Sequence, residues 1–173
     1  MYTFQWLDIP EALSHLDDLT KLVLDSVENG ASIGFLAGVS SKDVETYWLE
    51  RIDELPKSRY LFIARDDKGQ VHGSAQLALA TKANGLHRAE VQKVLVHSSA
   101  RRQGLGRRLM GELEGVARQL DIRLLVLDTI KYEAAELMYP KLGYVRAGEL
   151  PDFALMPDGE SRATVLFYKQ LLD

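Results

Sequence analysis

Residues 100–110, ARRQGLGRRLM, gather four arginines and two glycines in a chain whose formal net charge is −4. A basic cluster in an acidic chain is local chemistry, and phosphate is the partner it suits. Strand-like residues 89–97 precede it, and Leu105, Leu109, Leu113, Val116 and Leu120 follow at helical spacing. The segment therefore reads as a turn into a helix N-terminus, whose first amides lack intrahelical acceptors and carry partial positive charge. Gly104 and Gly106 leave those amides uncovered, at a helix-propensity cost of roughly 1 kcal/mol each. Arg101, Arg102, Arg107 and Arg108 surround the turn and can pair with phosphate oxygens. The same residues also suit a solvated helix start whose glycines only make the turn. Two nucleotide motifs fail: Leu109 stands where a dinucleotide fingerprint needs its third glycine, and no Gly-Lys-Ser/Thr follows.

Other reactive residue types narrow the chemistry. The four histidines, His15, His72, His87 and His97, have no metal-ligand spacing, and no metal is expected. The absence of cysteine excludes disulfides, thiolate metal sites and a cysteine nucleophile, and fits a reducing cytoplasm. Glu90 shares a strand with Gln92, Val94 and Val96, and regular alternation puts all four on one face. A carboxylate there is either functional or a solvent-facing strand start. Asp128 ends the apolar run RLLVLD, where it either enters a site or caps the next helix with Thr129.

The elements holding these residues can be read from periodicity. TFQWLDI is a strand, and Pro10 opens one helix through ALSHLDDLTKLVLDSV. After the glycine-punctuated loop NGASIGFLAG, Ser41 or Asp43 caps a helix over VETYWLERIDEL, ended by Pro56. RYLFIARD and VHGSAQLALA form a hairpin turned by Asp67 and Gly69; AEVQKVLV is the next strand. Beyond the glycine turn and its helix come strand RLLVLD, helix KYEAAELMYPKL and strands YVRAGEL and TVLFYKQL. The order βααβββαβαββ predicts an α/β fold, a mixed, mainly antiparallel sheet flanked by about four helices. With 173 residues and no linker or repeat, one domain over residues 1–173 is expected. The formal charge of −4 argues against nucleic acid or a membrane surface as a partner, and with no basic leader or apolar run of about 20 residues no membrane span is expected. An exposed last strand would suit a homodimer.

RRQGLG, between strand and helix, resembles the R/Q-x-x-G-x-G/A signature of the GNAT N-acetyltransferase superfamily. MYPKLGYV, residues 138–145, is similar to that family's L-Y-x-K-L-G-F segment, and the element order resembles its fold. GASIGF, ANGLHRAEVQKVLV, SARRQGLGRRLM, LDT, GELP and PDG further resemble the tabtoxin-resistance branch, which acetylates a toxic β-lactam amino acid.

The resemblance implies acetyl-CoA as cosubstrate, with its diphosphate at Arg101, Arg102, Gln103, Gly104, Leu105, Gly106 and Arg107. It also implies that the pantetheine arm pairs with the main chain of Val94, Leu95 and Val96. An amine attacks a thioester only after losing a proton, and Glu90 is the candidate base. Tyr139 resembles the family's general acid toward the departing thiolate, although Pro140 predicts a kink or helix end beside it. Asp128 is a candidate for orienting the amine or a water. Ser32 and Phe35 in the GASIGF loop, with Gln76, are candidates for the acceptor pocket. Without cysteine, direct transfer to a small amine, such as an amino-acid-like toxin, is the expected reaction. The rivals are a peptide N-acetyltransferase and a non-catalytic acyl-CoA sensor.

Overall fold

The computed structural model describes residues 1–171. Its elements are β1 (Thr3–Leu7), α1 (Ile9–Ser14), α2 (Leu16–Glu28), α3 (Ser41–Asp53), β2 (Arg59–Arg65), β3 (Val71–Leu79) and β4 (Arg88–Val96). They continue through α4 (Leu105–Gln119), β5 (Leu124–Ile130), α5 (Ala134–Met138), β6 (Val145–Leu155) and β7 (Ser161–Gln170). The strands form one sheet in the order β1-β2-β3-β4-β5-β7-β6, antiparallel except where β4 meets β5.

Side-chain alternation sends apolar residues to both faces. On β2, Phe62 and Ala64 join the core beneath α4, while Leu61 and Ile63 join the core beneath α1–α3. Gly73 permits the first of these contacts. A Cβ there would meet Leu109 Cδ1 and the Leu95 carbonyl, each at 3.0 Å, so only glycine lets α4 lie this close to β3.

Three expectations change. The helix expected to run from Pro10 through Val27 divides at His15, whose φ −101°, ψ 11° leave the helical region. Ser14 Oγ donates to the Glu11 carbonyl at 2.7 Å there, a side-chain bond that competes with helix continuation. The cap of α3 is Ser40, whose Oγ accepts from the Asp43 amide. The last strand is not exposed: β7 pairs with β5 on one side and β6 on the other, so the sheet edges are β1 and β6.

Candidate active site

The sheet splits where its two parallel strands meet. β4 and β5 pair only from Arg88↔Leu124 to Glu90↔Val126, yet β5 stays on β7 to Ile130 and β4 stays on β3 to Val96. Beyond Glu90 the β5-facing edge of β4 therefore has no strand partner. A bulge accompanies the split: Lys93 and Val94 stand against the single Ala75, with Lys93 at φ 47°. The bulge corrects the expected alternation, because Glu90 and Gln92 do not share a face with Val94 and Val96. Ala89, Val91, Val94 and Val96 pack with the α4 core, and Leu95 with the core of α1–α3.

At the open end of this wedge lies the glycine turn. Arg102 and Gly104 take left-handed φ of 61° and 81°, and Gly104 is the N-cap of α4. The amides of Gly104, Leu105, Gly106 and Arg107 find no acceptor among the described residues. A Cβ on Gly106 would lie 3.7 Å from Val96 Cγ2 and 3.6 Å from Met138 Sδ, so this end of α4 sits between β4 and α5. Four free amides at a helix start fit a diphosphate. The arginines divide. Arg101 Nε donates to the Val96 carbonyl at 3.3 Å, Arg102 and Arg107 are exposed, and Arg108 stacks 4.1 Å over the Phe4 ring. Gln103 Nε2 donates to the Ser99 carbonyl at 3.5 Å, and the Leu105 side chain is core.

Within the wedge a cleft of about 580 Å³ is lined by Glu90, Val94, Leu95, Arg101, Asp128 and Tyr139, among others. Glu90 is exposed and unpaired, the solvent-facing placement weighed from its sequence position. Thr164 Oγ1 lies 2.7 Å from Asp128 Oδ2 and 2.9 Å from the Thr129 carbonyl, so its one hydroxyl hydrogen is shared between these two acceptors. A capping role for Asp128 and Thr129 is excluded, since α5 begins after Glu133. Tyr139 enters from the other face, buried against Tyr144 and Phe167 at ring-centroid distances of 5.6 and 5.8 Å. Burial, aided by the Asp128 charge, pushes its phenol up to about 12. As Pro140 predicts, α5 ends beside it, at Met138 with Tyr139 as C-cap. Tyr139 keeps φ −60°, ψ −42°, and the chain tightens into a 3₁₀ turn over Tyr139–Leu142.

The expected acceptor residues separate. Ser32 lines the cleft with its hydroxyl donating to the Leu155 carbonyl at 3.0 Å. Phe35 does not line it; it packs edge-on to Tyr47 at 5.6 Å. Gln76 is fully buried, accepting from Arg59 Nη1 at 2.6 Å and donating to Tyr47 at 3.1 Å. It therefore supports the cleft wall from behind. Residues not anticipated from the sequence are Tyr47, Arg51 and Lys93, all of which line the cleft. Lys93 had one local signal, a charged residue inside the apolar run QKVLV. No group of three or more His, Asp or Glu side chains able to hold a metal exists among the described residues, and no helix among them is long and apolar enough to cross a membrane.

Comparison with known proteins adds to this geometry. The profile of the acetyltransferase (GNAT) family matches residues 13–144. A protein of Azospirillum brasilense, named an uncharacterized N-acetyltransferase in the hisH-hisA intergenic region, is 36% identical over 115 residues, covering 65% of this chain and 67% of its own. Two solved structures share the fold. The phosphinothricin acetyltransferase of Sinorhizobium meliloti in complex with acetyl-CoA is 18% identical with TM-score 0.80, covering 98% of this chain and 88% of its own. The ribosomal-protein-alanine N-acetyltransferase of Brucella melitensis is 24% identical with TM-score 0.80, covering 98% and 99%. A strand order split at β4 and β5, a glycine turn with free amides and a matching family profile converge: the chain belongs to the GNAT family of acetyl-CoA-dependent N-acetyltransferases.

Proposed function

We propose that this enzyme acetylates the amine of a small, amino-acid-like molecule by direct transfer, with a toxic β-lactam amino acid of the tabtoxin type among its candidate acceptors. The observation that carries this reading is the meeting of Glu90, Asp128 and Tyr139 in one cleft, from opposite faces of the split sheet.

Acetyl-CoA, when bound, supplies an activated acyl group and a thiolate leaving group. The amides of Gly104, Leu105, Gly106 and Arg107 would hold its diphosphate, with Arg102 and Arg107 free to add charge pairing. The unpaired main chain of Val94 would take the pantetheine amides by strand addition; the Val96 carbonyl is already engaged by Arg101, and Leu95 pairs with Ser74 of β3. Glu90, exposed and free of partners, accepts the amine's proton directly or through water. Asp128, held by Thr164, orients the amine beside it. Tyr139 remains protonated throughout the working pH range and donates a hydrogen bond toward the departing sulfur. A phenol raised to about 12 is less acidic than an alkyl thiol and so a poor source of a whole proton for the departing thiolate, and its contribution is a hydrogen bond. The cysteine-free cleft offers no thiol for an acyl-enzyme, which favours a ternary complex.

A thiol-release assay with acetyl-CoA across small amines, β-lactam amino acids and N-terminal peptides tests the reading. Turnover concentrated on small amino acids is expected. Turnover of peptides alone would replace it with protein acetylation, and acetyl-CoA binding without any release would replace it with a sensor.

A further inference from the structure

Lys93 is the cation in the cleft with no described function. It occupies the bulge of β4 at φ 47°, a left-handed conformation costing about 1–2 kcal/mol in a residue with a Cβ. Asn or Gly would relieve that strain, and the position carries a lysine instead. The ammonium lies 5.3 Å from the Tyr47 ring centroid and 3.8 Å from where a Gly34 Cβ would be, beneath the GASIGF loop. The neighbouring guanidiniums are ion-paired: Arg51 with Glu50 and Glu54, although its buried Nε has no partner, and Arg59 with Glu54, its Nη1 donating to Gln76 and Gln92. Lys93 Nζ has no hydrogen-bond or ion-pair partner among the described residues. Burial lowers its pKa, the charges of Arg59 and Arg51 lower it further, and those of Asp128 and Glu90 oppose them. A half-buried ammonium short of hydration and partners is suited to receive an anion.

Glu90 and Asp128 share the cleft with it. Their side chains face away from α4, since Ala89, Val91, Leu125 and Leu127 pack beneath that helix and alternation turns their neighbours to the other face. Carboxylates for an amine and one uncommitted ammonium therefore line the same pocket. We infer that Lys93 anchors a carboxylate of the acceptor, making it a specificity-determining residue that selects amino acids over simple amines and peptide N-termini. The inference rests on the proposed acceptor class and names the residue that reads it.

The test compares kcat/KM for free L-α-amino acids and their methyl esters in the wild-type enzyme, Lys93→Met and Lys93→Arg. Met keeps the apolar stem over Tyr47, and acetyl-CoA affinity by calorimetry reports whether each variant retains a folded cofactor site. The expected result is a preference for the acids of roughly 10- to 100-fold, the range of a charged hydrogen bond. It should vanish in Lys93→Met through KM and return in part in Lys93→Arg, with acetyl-CoA affinity unchanged. Equal use of acids and esters, or a preference surviving in Lys93→Met, overturns the inference while leaving small-amine acetylation standing. Should no probe turn over, the Lys93 ¹⁵Nζ resonance of the CoA-bound enzyme decides: movement with the acids and not the esters supports the anchor, and no movement overturns it.

Discussion

Gly104 turns the chain at φ 81° with open space where a Cβ would go, so its replacement acts through backbone strain and not through collision. Gly104→Ala should lower stability by about 1–2 kcal/mol in urea unfolding and weaken acetyl-CoA about tenfold by calorimetry, because the amides behind it reorient. Unchanged affinity would remove the turn from the cofactor site. Tyr139 yields a prediction with a sign. Its phenol, raised from 10.0 to about 12 by burial, contributes stability that is complete below pH 10 and lost as pH rises from 10 to 12, where the unfolded chain ionises first. The loss is about 2–3 kcal/mol, and Tyr139→Phe should remove that share of the alkaline slope in unfolding measured against pH, leaving the share of Tyr144 and Tyr47, whose phenols burial also raises. The same variant should lower kcat roughly 10- to 100-fold, with acetyl-CoA affinity and the acid limb of the pH profile unchanged. Loss of an alkaline limb in the variant would mean that Tyr139 gives up its proton during turnover. At this scale the glycines and the carboxylates Glu90 and Asp128 were legible, since residue type and strand position mark them. Lys93 and Tyr47 were not, because their meeting depends on α3 lying over a bulge.

The elements make the site by failing to continue their pairing. β4 leaves β5 after Glu90, and the bulge at Lys93 turns Leu95 to one core and Val94 and Val96 to the other. α4 then closes the far face, and its seat is Gly73, whose missing side chain leaves room for Leu109. Gly73→Ala should cost about 1–3 kcal/mol in denaturant unfolding as Leu109 is displaced; a neutral result would mean that α4 shifts freely. Element type and order were readable because each helix and strand carries its own periodicity. The split of the first long helix at His15 and the tightening after Tyr139 were less so, since single residues decide them through local hydrogen bonds. The hairpin before β3 is similar: Gly69 was identified at φ 85°, but the amides of Lys68 and Gln70 bond to Asp66, one residue before the aspartate expected to shape the turn.

Over the whole molecule, the split sheet connects two cores that are otherwise separate. Tyr139 belongs to the α4 core and Glu90 and Asp128 face away from it, so groups from both sides reach one cleft only through the gap between β4 and β5. Filling that gap with a ligand should hold the halves together. Acetyl-CoA at 100 times its dissociation constant is expected to add about 2.7 kcal/mol and raise Tm by roughly 5–11 °C in differential scanning fluorimetry. An unchanged Tm at that saturation would contradict binding to the native state alone.

The amino-acid sequence by itself determined the order of elements, the mixed sheet, the phosphate-type turn and the family resemblance. All are properties of neighbouring residues, set by side-chain period, by the reach of a helix start and by glycine's freedom at positive φ. Only the tertiary structure decided that β7 lies inside the sheet, that Gln76 and Phe35 stand behind the cleft wall, and that Lys93 enters the cleft. Those outcomes depend on which strands pair and where pairing stops, and pairing energies are summed between segments far apart along the chain.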